Sequence, residues 1–271
     1  MAKKYELTNE TKVFGDRVLH RIRALVDIPR HRVKTGDLGG FIEGENNLSH
    51  DGDCWIGNNA CVYDNACVYD NAWIYGDALI CDNARVFGNA CVHNKARISG
   101  KARIYDNTFV YGNACVYGNA LIYDNARIFD GAWVFGNTCV SGKAHVFGNA
   151  YAYDNARIFD NACICGNARI SGNACICGNA CVYSGAWITQ GKYHVSTIHI
   201  TVLPYGVTAI YPNHVQIGCS LFEICDKKTA IKTMKEFDVP KEYHEQIWLA
   251  VRLCKQWLKD NPEKGDSNGY S

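Results

Sequence analysis

The 271-residue chain has no surplus charge of one sign: 28 Lys and Arg stand against 27 Asp and Glu, a formal net charge of +1. That balance offers no global attraction for nucleic acid or an acidic membrane. No apolar run approaches the roughly 18 residues that a membrane-crossing helix needs. The start, MAKKYELTNE, lacks the apolar stretch of a secretory signal, so a cytoplasmic location is expected. Three signatures of chemistry are missing too: a phosphate-binding loop, a dinucleotide fingerprint and a G-x-S-x-G nucleophile elbow. At 48% hydrophobic and 20% charged residues, the chain is foldable rather than disordered.

What the chain does have is a rhythm of six. From Cys54 to about Gln190 a Val or Ile recurs at every sixth residue, from Ile56 to Ile188, with Ala152 the exception. Four residues after each, from Ala60 to Ala186, comes a small residue, Ala throughout except Thr108 and Thr138. Neither a helix period of 3.6 nor a strand alternation produces a strict six. A short period held this long marks a solenoid whose repeats bury one another's apolar faces. A triplet such as Cys115-Val116-Tyr117 reads as a short strand with its middle residue pointing inward. The Gly-Asn or Asp-Asn pair that follows reads as a corner, turned by residues that tolerate left-handed backbone angles. Asn holds the second corner position in 16 of the 22 corners from Asn59 to Gly185, so Asn is expected to turn them. Three strand-plus-corner units close a triangular coil of eighteen residues, and stacked coils at about 4.8 Å build a prism roughly 35 Å long.

The pattern Ala-x-[Val/Ile]-[Tyr/Phe]-[Gly/Asp]-Asn resembles the hexapeptide repeat of left-handed β-helix proteins. The stretch DLGGFIEGENNLSHDGDCWIGNNA (residues 37–60) is similar to the opening of a bacterial and bacteriophage group often labelled transferases. The resemblance covers residues 5–190 and extends more weakly to VQIGC (residues 215–219). It implies a left-handed coil, a bacterial or phage origin and a trimeric assembly. It also implies an alternative function, acyl transfer from an acyl-CoA bound between subunits with a His as general base.

The fold expected is therefore mainly β, a left-handed parallel β-helix with a small C-terminal α+β domain. Residues 1–50 are expected to form a β cap over an otherwise open edge, and 51–190 the hexapeptide solenoid. Residues 191–262 are expected to form the α+β domain, with strands over 193–224 turning near Pro204-Tyr205-Gly206 and Pro212-Asn213. Helices are expected over 227–237 and 240–260, and 263–271 as a disordered polar tail.

Taking every eighteenth residue assigns the outward side chains to three faces. The first carries Trp73/Tyr75, Cys91/His93, Phe109/Tyr111, Arg127/Phe129 and His145/Phe147; the second carries Cys115/Tyr117, Trp133/Phe135 and Tyr151/Tyr153. The third carries Arg85/Phe87, Arg103/Tyr105, Leu121/Tyr123, Cys139/Ser141 and Arg157/Phe159. Aromatic stripes this continuous predict contact surfaces and self-association. Trp73, Tyr75, His93 and Tyr111 are candidates for partner contact. The Arg-x-aromatic pairs Arg85/Phe87, Arg103/Tyr105 and Arg157/Phe159 place guanidinium donors beside rings, a combination suited to a nucleotide or another anionic small molecule. Long nucleic acid is not expected, since residues 51–190 hold nine Lys and Arg against eleven Asp and Glu.

Eleven of the fifteen cysteines lie at the variable slots of the repeat and are expected to fill interchangeable surface positions in a reducing compartment. Cys163, Cys165 and Cys181 lie close enough for a thiolate site, but no fourth ligand is evident beyond His145, and no metal is expected. No catalytic residue or cofactor is assigned: His93 and His145 are three coils apart, and no loop is extruded from the 23 hexads for a catalytic His. Outside the repeat, His194, His199 and His214 read as ordinary strand or turn residues. The function expected is a non-enzymatic, homo-oligomeric scaffold or binding protein. In its sharper form it is a phage protein that sequesters a host factor or small nucleotide.

Overall fold

A computed structural model describes residues 3–182 and, beyond them, 187–189, 192–194, 199–202, 205–210, 214–217, 220–223, 227–236 and 239–260. The tail expected over 263–271 lies outside the described residues.

The hexads form a parallel β-solenoid. Each Val/Ile slot and the residue before it make a two-residue strand, and strands eighteen residues apart pair in register, as Cys115 and Val116 do with Trp133 and Val134. Three sheets result, and they are the three faces that the eighteen-residue count assigns. The coils are joined by main-chain hydrogen bonds of nearly constant length, such as Tyr117 N to Val134 O at 3.0 Å. The described Val/Ile slots and corner alanines line one continuous core, almost all fully buried.

The corners correct one expectation. Asn does not take the left-handed angle, except at Asn58 and Asn94; the residue before it in the repeat does. At that first corner position Gly112 and Gly118 have φ of 74° and 72°, and Asp64 and Asp124 have φ of 60° and 61°. Asp is accepted there because its carboxylate receives an amide from the next coil, as Asp82 does from Gly100 N at 2.8 Å. The Asn that follows ties the coils together through its side chain. Asn119 donates to Asn137 and Asn137 to Asn155, both at 3.0 Å. The two threonines in the small slot fit because each buried hydroxyl donates to the carbonyl three residues back, Thr108 to Tyr105 and Thr138 to Phe135.

Ala152 sits in register between Val134 and Ile170 and leaves a short rung where other coils have a branched side chain. Ala152→Val is expected to add about 1 kcal/mol of stability by burying two more methyl groups. Chemical denaturation would measure it. A loss instead would mean that Ile164, Ile170 and Ile176 of the next coil already fill the space.

The solenoid is closed at its start by an antiparallel hairpin of β1 (Tyr5–Phe14) and β2 (Arg17–Ala24). β2 then pairs antiparallel with β3 (Leu38–Ile42), and β3 runs parallel to Cys61–Val62, so the hairpin extends the second face. Gly39 and Gly40 permit this junction, because a Cβ on Gly40 would lie 2.5 Å from the Ala60 carbonyl oxygen. Arg17 pins the hairpin down by binding the carboxylates of Glu43 and Asp64. The Tyr5 hydroxyl donates to Leu48 O at 2.7 Å from a fully buried ring. Ile42 stands under Val62, Leu48 bridges to Val68 and Ile56 stands under Ile74, which makes an irregular first coil. The eight-residue step from Leu48 to Ile56 absorbs the loop at Asp51-Gly52-Asp53.

At the other end, Lys192–His194 pairs with Cys175–Cys177, so the third face runs past the boundary expected at residue 190. The hexad period is already broken there, and pairing continues without it. A four-stranded antiparallel sheet follows: His199–Val202, Tyr205–Ile210, His214–Ile217 and Ser220–Glu223. Tyr205 and Gly206 belong to a strand rather than to the turn expected around them, since Tyr205 pairs with Val202. Helix α1 spans Lys227–Glu236 and α2 spans His244–Asp260. α2 lies against this sheet. It buries Ile247, Val251 and Cys254, which recur at helical spacing, together with Ala250, while Leu249 and Leu253 stay exposed; Leu258, the next position at that spacing, has a side chain outside the described residues. Among the described residues no helix is long and apolar enough to cross a membrane.

Candidate binding faces

Each face has two columns of outward side chains, and the columns differ in kind. In the second column the rings stack flat on one another from coil to coil. On the first face, Tyr75, His93, Tyr111, Phe129 and Phe147 form an unbroken stack with ring centres 4.7–5.0 Å apart and planes within 5° of parallel. Trp73 joins it through Tyr75 at 4.3 Å, and its indole is covered by His31 from the loop after β2. The second face stacks Tyr117, Phe135 and Tyr153. The third stacks Tyr69, Phe87, Tyr105 and Tyr123 at 4.7–5.3 Å. The repeat sets this spacing: strands about 4.8 Å apart hold rings at a stacking separation.

The aromatic stripes are thus ladders in which each ring supports its neighbours. Inner rings of a stack have both faces covered by neighbours, end rings such as Tyr123 have one face covered, and all are half-exposed. The first column carries the exposed groups instead: Arg85, Arg97, Arg103, Arg127, Arg157 and Arg169, with Phe109 37% and Trp133 39% exposed. The cysteines differ from expectation. Among the described residues none forms a disulfide and none is exposed. Cys61 is fully buried beneath Leu19 and Phe41, and Cys91 and Cys177 are buried as well. Burial pushes the Cys91 thiol up to about 11.

The candidate residues fall into two separate groups. Trp73, Tyr75, His93 and Tyr111 are consecutive members of the first-face stack. Arg85 and Arg103 are exposed neighbours in register on the third face, and Arg157 stands three coils further along it. Only one Arg-x-aromatic pair among the three closes as a cation–π contact: the Arg157 guanidinium lies 6.0 Å from the centre of Phe159. Phe87 and Tyr105 have no free face to offer, because Tyr69, Tyr123 and each other cover them. Two further contacts join neighbouring coils of the first column, Arg127 over Phe109 at 5.5 Å and Arg169 over Tyr151 at 5.7 Å.

His93 and His145 share no site, and the side chains of His194, His199 and His214 lie outside the described residues. His93 lies in the stack and His145 three coils away in the other column, its pKa lowered by burial and by Arg127. Cys163 hydrogen-bonds with both Cys165 and Cys181, but the three thiols are not all within 4.8 Å of one another. Among the described residues only Asp64, Cys81 and Asp82 have donor atoms mutually within 4.8 Å, and Arg17 already neutralises Asp64.

Ser141, which no motif singles out, takes the ring position between Tyr123 and Phe159 on the third face, and a dent of about 200 Å³ opens there. Counting by eighteen places these three residues in one column. The signal is the substitution of a ring by a hydroxyl, which is legible only once stacking is known.

The repeat family described as YdcK β-solenoid repeat matches residues 78–94, just under one turn of the coil. The chain is a β-solenoid repeat protein. No curated protein matches it. The matched segment of the solenoid carries Arg85/Phe87 on the third face and His93 on the first, so it spans a piece of each candidate group.

Proposed function

We propose that the chain is a rigid binding scaffold that acts through its outward faces and works as an assembly of like subunits. Trp133 carries this reading. It projects from the middle of the second face, 39% exposed, while the other large apolar side chains of its coil point inward or are half-covered. An exposed Trp on a rigid strand costs little entropy to bury and is the type of side chain on which interfaces concentrate their energy. Phe109 offers a second such anchor on the first face. The role is one of stoichiometric capture: a host protein or a small ligand is held without being converted.

Trp133→Glu is expected to shift the sedimentation coefficient of the purified protein from an oligomer to the monomer. Its melting temperature should change little, because the side chain stands outside the core. A wild-type protein that sediments as a monomer at tens of micromolar contradicts the assembly, and an oligomer unaffected by the substitution contradicts the placement of its interface.

A further inference from the structure

The third-face stack has one vacant rung. Tyr123, Ser141 and Phe159 follow one another in a single column, fixed by the register of Ile122 with Val140 and of Val140 with Ile158. Tyr123 stacks on Tyr105 at 5.3 Å, but its other face looks across the Ser141 rung toward Phe159. Ser141 is the floor of the dent and is 6% exposed. The gap between the two rings is two rung spacings. One flat ring placed in it would stand about 4.8 Å from each neighbour, the separation that every complete stack in this protein already has.

The rim specifies the ring. On the corner side stand Asp124 and Asp160, which with Gly142 line the dent. One oxygen of each carboxylate is occupied: Asp124 accepts from Gly142 N and Asp160 from Gly178 N, both at 3.0 Å. Each has a second oxygen able to accept. On the strand side stand Cys139 and the exposed Arg157 guanidinium, which supplies donors. The Tyr123 hydroxyl closes the floor, accepting from Cys139 Sγ at 3.7 Å and bonding with Ser141. Two carboxylates against one guanidinium disfavour an anionic ring. They favour a neutral, nitrogen-rich ring with N–H donors toward the corner and acceptors toward Arg157.

We infer that the Ser141 rung is a binding slot for a planar amino-heterocycle of the nucleobase class, clamped between Tyr123 and Phe159 and read by Asp124, Asp160 and Arg157. This rests on the proposal that the faces bind, and narrows the small ligand to its base rather than to a phosphate. Intercalation suits a sheet like this one, because the solenoid fixes the two walls in advance and little ordering is required. Sugar or phosphate attached to the ring would lie outside the dent, in solvent.

The test is calorimetric titration of the full chain with adenosine, cytidine and guanosine, and with N6,N6-dimethyladenosine as the probe stripped of its amino donors. At least one of the three nucleosides is expected to bind once per chain, and where that is adenosine the dimethylated probe is expected to bind at least tenfold more weakly. Ser141→Tyr fills the rung as Tyr does elsewhere in the column and is expected to abolish binding while keeping or raising the melting temperature. Phe159→Leu, which removes one wall without adding bulk, is expected to weaken binding at least tenfold and guards against misfolding of the first variant. Absence of binding by all three nucleosides overturns the slot, as does binding that Ser141→Tyr leaves unchanged. Either result is independent of the sedimentation behaviour, so the slot can fail while the assembling scaffold stands, and the reverse.

Discussion

Ala120→Leu is expected to destabilise the protein by about 3 kcal/mol or more. Ala120 fills a corner with no exposed surface, and its coil is hydrogen-bonded to the coils on either side, Arg103 N to Ala120 O at 2.9 Å below and Asn119 N to Gly136 O at 2.7 Å above. A leucine adds three carbons where the main chains of three successive coils converge, and none can retreat without breaking its ladder. Because each repeat is supported only by its neighbours, the strain spreads along the stack. Ala120→Thr is the control. Thr108 and Thr138 occupy equivalent corners with their hydroxyls bonded to a local carbonyl, so threonine at 120 is expected to cost about 1 kcal/mol or less. Thermal and urea unfolding followed by circular dichroism would separate the two. A leucine variant that melts like the wild type contradicts the packing described for the corners.

Gly40→Ala is expected to cost about 2–3 kcal/mol and to act on a different part of the molecule. The added methyl would stand 2.5 Å from both the Ala60 carbonyl oxygen and Ile56 Cγ2, and 3.3 Å from the Gly57 carbonyl oxygen. Two of those three atoms belong to main chain and cannot swing aside. β3 is the strand that joins the hairpin to the second face, so the substitution is expected to loosen the attachment of β1 and β2. Amide hydrogen exchange over residues 5–24 should quicken, while exchange in the central coils from Ile98 to Val140 stays slow. Unaltered protection in the hairpin would mean that Arg17, bound to Glu43 and Asp64, holds it in place without β3.

Much of this architecture is legible in the residues themselves. The eighteen-residue count places the outward side chains of the described coils on their correct face, because a solenoid without loops converts sequence spacing directly into height. The eight-residue step between Leu48 and Ile56 is legible for the same reason, because the period breaks there, whereas the pairing of β1 with β2 as a hairpin has no signal in the spacing. The corners are less so. Gly, Asp and Asn all tolerate a left-handed angle, and composition alone does not decide which member of the pair takes it. The side-chain links do: Asp82 reaches the next amide and Asn119 reaches the next Asn.

The faces are harder to read. A column of Tyr, Phe and His looks exposed when each residue is taken singly, but stacking covers both faces of the inner rings and leaves only their edges. What remains exposed are the residues that interrupt or flank the stacks, namely the first-column arginines, Phe109 and Trp133. The vacant rung at Ser141 belongs to the same lesson. It is unremarkable as a serine in a hexad and becomes a slot only when Tyr123 and Phe159 are known to be walls.

Native mass spectrometry of the protein, purified gently and kept at low ionic strength, tests the central claim most directly. It reports subunit number and any retained small molecule at once. A discrete oligomer of the 30.2 kDa chain, dispersed by Trp133→Glu, is the expected result. A bare monomer at every concentration would contradict it.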